Sequence, residues 1–179
     1  MQKLILLCIV LASTDVFAQE RSEPITFVKH LSVGENGINR GVTVEQTIDG
    51  GYILTGLTKG PGTDGDDVFL MKTDPVGAVV WSRTFGGAGS DNGWAVRQTK
   101  DGGYIIGGFT GSFGAGGVDV YLIKTGTEGN EIWSKTYGGE KDEYGWDIRN
   151  ASDGGFIVAS QTNSSGSGEI DAYLIKTDE

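Results

Sequence analysis

The chain has 179 residues, enough for one ordinary domain, with 31 glycines, three prolines and a single cysteine. A net charge of −10 disfavours nucleic acid and anionic membranes as partners, and one cysteine excludes a disulfide framework. The glycines fall at recurring turn positions between apolar runs, which argues for ordered all-β structure over disorder.

Residues 1–18 read as a signal peptide. Lys3 supplies the positive start, residues 4–12 form a short apolar run, and Val16-Phe17-Ala18 fits a cleavage site before Gln19. The run is too short to span a bilayer. Cys8 lies inside it, so the exported chain is expected to be soluble and free of cysteine, relying on its core and its sheet hydrogen bonds. Removing Lys3 and Asp15 leaves the net charge at −10. Residues 19–24 are a polar lead-in, and residues 25–179 read as a single β-repeat domain.

That domain repeats every 52 residues. Asp49-Gly50-Gly51-Tyr52 returns as Asp101-Gly102-Gly103-Tyr104 and as Asp153-Gly154-Gly155-Phe156. Lys72-Thr73 returns as Lys124-Thr125 and Lys176-Thr177, and Trp81 returns as Trp133. A fixed period of this length signals an array of supersecondary units. Before the first full repeat, residues 25–33 are strand-like. Aligned by the period, Lys29 takes the place of Trp81 and Gly34 that of Gly86, so the segment reads as the fourth strand of a unit whose first three strands do not precede it. First strands are expected at 41–47, 93–99 and 145–151, and second strands at 51–58, 103–110 and 155–162. Third strands are expected at 67–73, 119–125 and 171–177, and fourth strands at 78–85 and 131–137. The third unit lacks a fourth strand.

The Asp-Gly-Gly turn supplies positive φ for a tight hairpin. Second and third strands are apolar on both faces, the mark of strands held between neighbouring layers. No segment has a helical period. Four antiparallel strands per unit of about fifty residues fit β-propeller-type blades, three per chain. Residues 25–33 would then complete the last blade beside 171–177 and cover its edge. Three blades fall below the usual four to eight, so two chains forming a six-bladed ring, or a longer array, is expected. A β-trefoil is the rival that closes with three repeats in one chain.

The runs DGGYIIGGFT, DVYLIKT and WSKTYGG resemble the repeats of secreted bacterial and archaeal β-propeller proteins, over about residues 27–177. The spacing of Gly77 and Gly129 four residues before Trp81 and Trp133 also resembles, distantly, the quinoprotein-type blade. Ile123 and Thr125 stand where that blade's motif has Ala and Asp, and there is no adjacent cysteine pair, so the likeness does not extend to quinone-dependent dehydrogenation. The resemblance implies the fold and an extracellular setting.

Candidate sites follow from the repeats. Trp94 and Trp146, beside Asp91, Asp142 and Glu143, have the composition of a sugar-binding platform, where a flat ring takes the apolar sugar face and carboxylates take hydroxyls; the alternative is packing between blades. Asp64, Asp66 and Asp67 form the best oxygen-rich run for calcium. Asp67, Asp119 and Asp171 open the third strands and suit a structural role, bonding turn amides or pairing with Arg97 and Arg149. Trp81 and Trp133 are structural. No catalytic constellation is legible: His30 has no nucleophile nearby, and the nucleophile elbow, the phosphate loop and His/Cys metal spacings are all missing. The expectation is a secreted, non-catalytic binding or structural scaffold without cofactor, calcium apart, whose partners are a glycan or protein ligand or a second copy of itself. The alternatives are a glycan-active enzyme, a carbohydrate-binding β-trefoil, or a fragment of a longer array.

Overall fold

The structure, a computed structural model, describes residues 27–33, 38–59 and 64–179. The expected signal peptide, the lead-in, Ile25 and Thr26 lie outside the described residues. Eleven strands form three antiparallel sheets, each in sequence order. The first blade is β1 (Ile38–Gln46), β2 (Tyr52–Lys59), β3 (Asp67–Thr73) and β4 (Val79–Phe85). The second is β5 (Asp91–Gln98), β6 (Tyr104–Thr110), β7 (Asp119–Thr125) and β8 (Glu131–Tyr137). The third has only β9 (Glu143–Asn150), β10 (Phe156–Thr162) and β11 (Asp171–Thr177). Among the described residues no strand of one repeat pairs with a strand of another, so each repeat is a blade and the trefoil, whose barrel needs such pairing, is set aside. The described residues contain no helix.

The hairpin chemistry explains why the same text recurs. In the Asp-Gly-Gly turns the first glycine has a φ of +81°, +84° or +96°, a region that L side chains avoid. The second glycine lies against the end of the third strand. A Cβ on Gly103 would sit 2.2 Å from the Thr125 carbonyl oxygen, and one on Gly155 only 1.9 Å from that of Thr177. The aspartate accepts from the amide of that second glycine, 3.0 Å from Gly103 to Asp101, and from the third-strand lysine. Lys124 Nζ is 2.7 Å from Asp101 Oδ2 and also donates to the Thr125 carbonyl, so a buried ammonium is satisfied within its own blade. Lys72 with Asp49 and Lys176 with Asp153 repeat the arrangement.

First strands begin two or three residues earlier than the composition suggests, because each carries a bulge. Register shifts between Gly41 and Thr43, between Gly93 and Ala95, and opposite the Ala159–Ser160 step let β1, β5 and β9 extend toward the preceding loop. Val42, Trp94 and Trp146 are the extra residues, 52 apart.

Alternate side chains of each blade face opposite neighbours. Ile53, Val68 and Leu70 of the first blade pack with Val96, Tyr104, Ile106, Tyr121 and Ile123 of the second. In the same phase, Ala95, Ile105, Val120 and Leu122 of the second pack with Ile148, Phe156, Val158 and Ile175 of the third. The principal contacts between blades all run through β5 or β9, with β1 against β5 and β5 against β9. The blades therefore converge on their first strands, the arrangement in which a propeller lines its central channel.

Residues 27–33 differ from the expectation. They carry no strand, and they lie on the first blade instead of beside β11 of their own chain. Phe27 meets Tyr52 edge-on at 6.0 Å and lies over Gly77. Trp81 makes the equivalent contacts one blade on, 5.8 Å from Tyr104 and over Gly129, and Trp133 is 6.2 Å from Phe156 in the third blade. Phe27 thus fills the ring socket that the period assigns to Lys29. An aromatic ring buries well in an apolar socket and an ammonium does not, so the segment sits two residues out of phase.

Candidate functional site

The bulge that lengthens each first strand also turns a side chain out of the ladder. Trp94 and Trp146 use this freedom to meet edge-on at 4.9 Å. Phe109 and Tyr144 complete the group: Phe109 is 4.9 Å from Tyr144 and 6.3 Å from Trp94, and Tyr144 stacks on Trp146 at 5.8 Å. The four rings bridge the second and third blades. Trp146 remains 41% exposed, and its Nε1 donates to Gln161 Oε1 at 3.3 Å. Trp94 Nε1 is buried and meets no acceptor in the protein. Only Tyr144 and Trp146 lie nearly parallel, at 20°, and Trp146 is the most exposed of the four rings, while the Trp94 N–H is sealed inside the group.

Beside it runs a chain of ion pairs across all three first strands. Arg97 Nη2 donates to Asp147 Oδ1 at 2.7 Å, and its Nε lies 3.6 Å from Glu45 Oε2. Asp147 also accepts from Arg149 Nε at 2.8 Å. Glu45 accepts the Gln98 amide, Gln98 accepts the Ile48 amide, and Asn150 donates to the Gln98 carbonyl. At the same end, a cavity of about 540 Å³ opens between Gln46, Gln98, Lys100, Asn150, Asp153 and Phe156. Arg97 and Arg149 therefore do not pair with Asp67, Asp119 or Asp171. They point along the first strands, where the nearest carboxylates are Glu45 and Asp147.

The acids expected to flank the tryptophans point elsewhere. Asp91 is fully buried, its Oδ2 accepting from the Gly87 amide at 2.8 Å and the Ser112 hydroxyl at 2.6 Å. Glu143, its equivalent, is also fully buried and accepts from the Gly139 amide, the Thr162 hydroxyl and the Ser164 amide. Burial pushes the Glu143 carboxyl up, but these donors outweigh it and hold it below its ordinary value. Asp142 accepts the Val118 amide at 3.0 Å. All three tie the loop entering a blade to the loop between second and third strands. Their oxygens serve those loops and not the aromatic face.

Each of these buried acids has a third-strand aspartate from the preceding blade as its neighbour across the seam. Asp67 lies with Asp91 around Gly86, and Asp119 with Glu143 around Gly138, where a Cβ would collide with both carboxylates. Burial first, then the charges of Asp91 and Asp66, push the Asp67 carboxyl up. Burial pushes Asp119 up as well, opposed by the amides of Gly116 and Ala115. Asp119 bonds turn amides as expected, with the Ala115 amide 3.1 Å away, whereas a buried oxygen of Asp171 has no partner.

The run proposed for calcium does not gather. Asp64 is exposed, the Asp66 carbonyl accepts the Asp91 amide, and Asp67 faces the seam. Among the described residues no group of three or more His, Cys, Asp or Glu side chains surrounds a common point. Trp81 and Trp133 span blades, capped by Arg83 at 5.6 Å and Lys135 at 5.2 Å respectively. Glu45, Phe109, Tyr144, Asp147 and Gln161 were not singled out by the sequence. The signal was present in the spacing of Val42, Trp94 and Trp146, but only the bulge reveals what that phase does.

No family model matches the chain, and no curated protein matches it in sequence.

Proposed function

We propose that this chain is a secreted, non-catalytic repeat protein that binds carbohydrate on the aromatic face of its first strands. One observation carries the reading: Trp94, Phe109, Tyr144 and Trp146 are gathered at the bulges of two blades, with Trp146 partly accessible and Tyr144 stacked beside it. A ring face stacks on the apolar face of a sugar, and the side-chain amide of Gln161 beside Trp146 is suited to hydroxyl groups. The buried carboxylates are committed to loop amides, which supports a binding role over glycoside hydrolysis, a reaction that needs two acids flanking an open bond. Export rests on the pattern of residues 1–18, and the kinship with secreted propeller repeats rests on the DGGYIIGG, DVYLIKT and WSKTYGG runs.

The test is a glycan array read with and without calcium, followed by titration of tryptophan emission with the oligosaccharide that binds. Trp146→Ala is expected to weaken binding about tenfold. The reading is overturned if no glycan changes the emission, or if Trp146→Ala binds as the wild type does.

A further inference from the structure

We infer that two copies of this chain join head to tail, the bare face and open edge of the third blade of each docking on the first blade and residues 27–33 of the other. The repeat itself shows what should cover the bare face. Ile53, Val68 and Leu70 bury against the second blade, and Ile105, Val120 and Leu122 against the third. Their counterparts in the third blade are Ile157, Ala172 and Leu174, and there Ala172 is exposed and Leu174 is 70% exposed. Leu70 and Leu122 are both fully buried.

The receiving surface exists at the other end of the chain. Val96, Tyr104 and Ile106 accept the first blade, and Ile148, Phe156 and Val158 accept the second. The first blade carries the same positions as Val44, Tyr52 and Leu54. Val44 is 56% exposed, and the three residues border an apolar cavity of about 420 Å³ with Phe27, Leu31 and Gly77. The two surfaces are the two halves of a seam that the molecule already forms twice.

Residues 27–33 supply the remaining piece. Phe27 occupies, on the first blade, the socket that a preceding blade's fourth strand fills elsewhere through Trp81 or Trp133. A third blade docked on this first blade would find that segment along the outer edge of β11, which has no partner strand among the described residues. The chain cannot provide its own third blade, because the second blade separates it from the first and three blades are too few to close. Two copies close a ring of six with two equivalent seams.

Sedimentation velocity of the full chain across micromolar concentrations tests this. A species of twice the single-chain mass is expected. Leu174→Glu and Val44→Glu, both at exposed positions that leave the single chain folded, should each weaken it at least about a hundredfold. Circular dichroism confirms folding of each variant, and amide exchange over residues 171–177 should slow as the wild type associates. A wild-type monomer, open-ended polymers, or a dimer that resists Val44→Glu would each overturn the inference. The last result would mean that third blades pair with each other.

Discussion

The second and third blades are built from nearly the same text and end in different surroundings. Tyr104, Ile105, Ile106, Val120, Tyr121, Leu122 and Ile123 are all buried, because the second blade has a neighbour on each face. In the third blade Phe156, Val158 and Ile175 are buried on the face toward the second blade, and Leu174 on the other face is largely bare. The lysine of the hairpin follows the same rule, with the Lys124 side chain 3% exposed and that of Lys176 42%. Burial in this fold is thus a property of a blade's position in the stack, whereas the hairpin geometry belongs to each blade alone.

The largest contrast is expected from truncating the paired leucines. Leu122→Ala should destabilise the chain by about 3 kcal/mol, through lost transfer energy and the cavity left behind. Leu174→Ala should change it by less than about 0.5 kcal/mol at dilutions where the chain is single. Urea denaturation reads both. Equal costs would mean that the third blade is covered in the single chain.

Within the blade the contrast should vanish. Gly103→Ala and Gly155→Ala would each drive a methyl group into the carbonyl that ends the third strand, and each is expected to cost about 1–3 kcal/mol. A difference between the two would show that the hairpin also depends on neighbouring blades.

The ion pairs should separate again. Asp101→Ala leaves the buried Lys124 with only a carbonyl, and is expected to cost about 1–2 kcal/mol. That is below the cost for a fully buried pair, since water reaches Asp101 and screens the interaction. Asp153→Ala should leave the melting midpoint nearly unchanged, because both partners there are open to water.

The smallest effect is on pH. The hydrogen bond from Lys72, with those of Thr47 and Gly51, holds Asp49 down to about 2. Burial pushes Asp101 up, but Lys124, Thr99 and Gly103 outweigh it and bring it to about 2 also. Their contribution to stability is present above the ordinary carboxylate range and is lost as pH falls toward 2. Asp67 and Asp119 have the opposite sign. Their raised affinity for protons means that the penalty for charging them in the fold is relieved on acidification. Thermal melts between neutral pH and pH 2 should therefore show an early gain offsetting part of the loss, and Asp67→Asn should reduce that gain. Unchanged pH dependence in that variant would remove Asp67 from the seam.

Much of the fold was legible because it is local. The expected third strands coincide with those observed, and the second and fourth agree to within a residue at either end, since the turns that lead into them are set by Asp-Gly-Gly and by Gly77 and Gly129 respectively. The site was legible in part. Trp94 and Trp146 do come together, but Asp91, Asp142 and Glu143 turn into the loops, where backbone amides otherwise lack acceptors. Nothing in the spacing tells an aspartate that caps a loop from one that faces solvent.

The 52-residue period, the strand order within each blade and the hairpin that closes it can be read from the amino-acid text, because these depend on backbone conformation and on residues close along the chain. Packing between blades is what brings Phe27 and not Lys29 into the first socket, joins Glu45 to Asp147 through Arg97, and seals one leucine while its repeat counterpart lies bare. Those outcomes depend on which blade stands beside which, and a repeated text says the same thing to every blade.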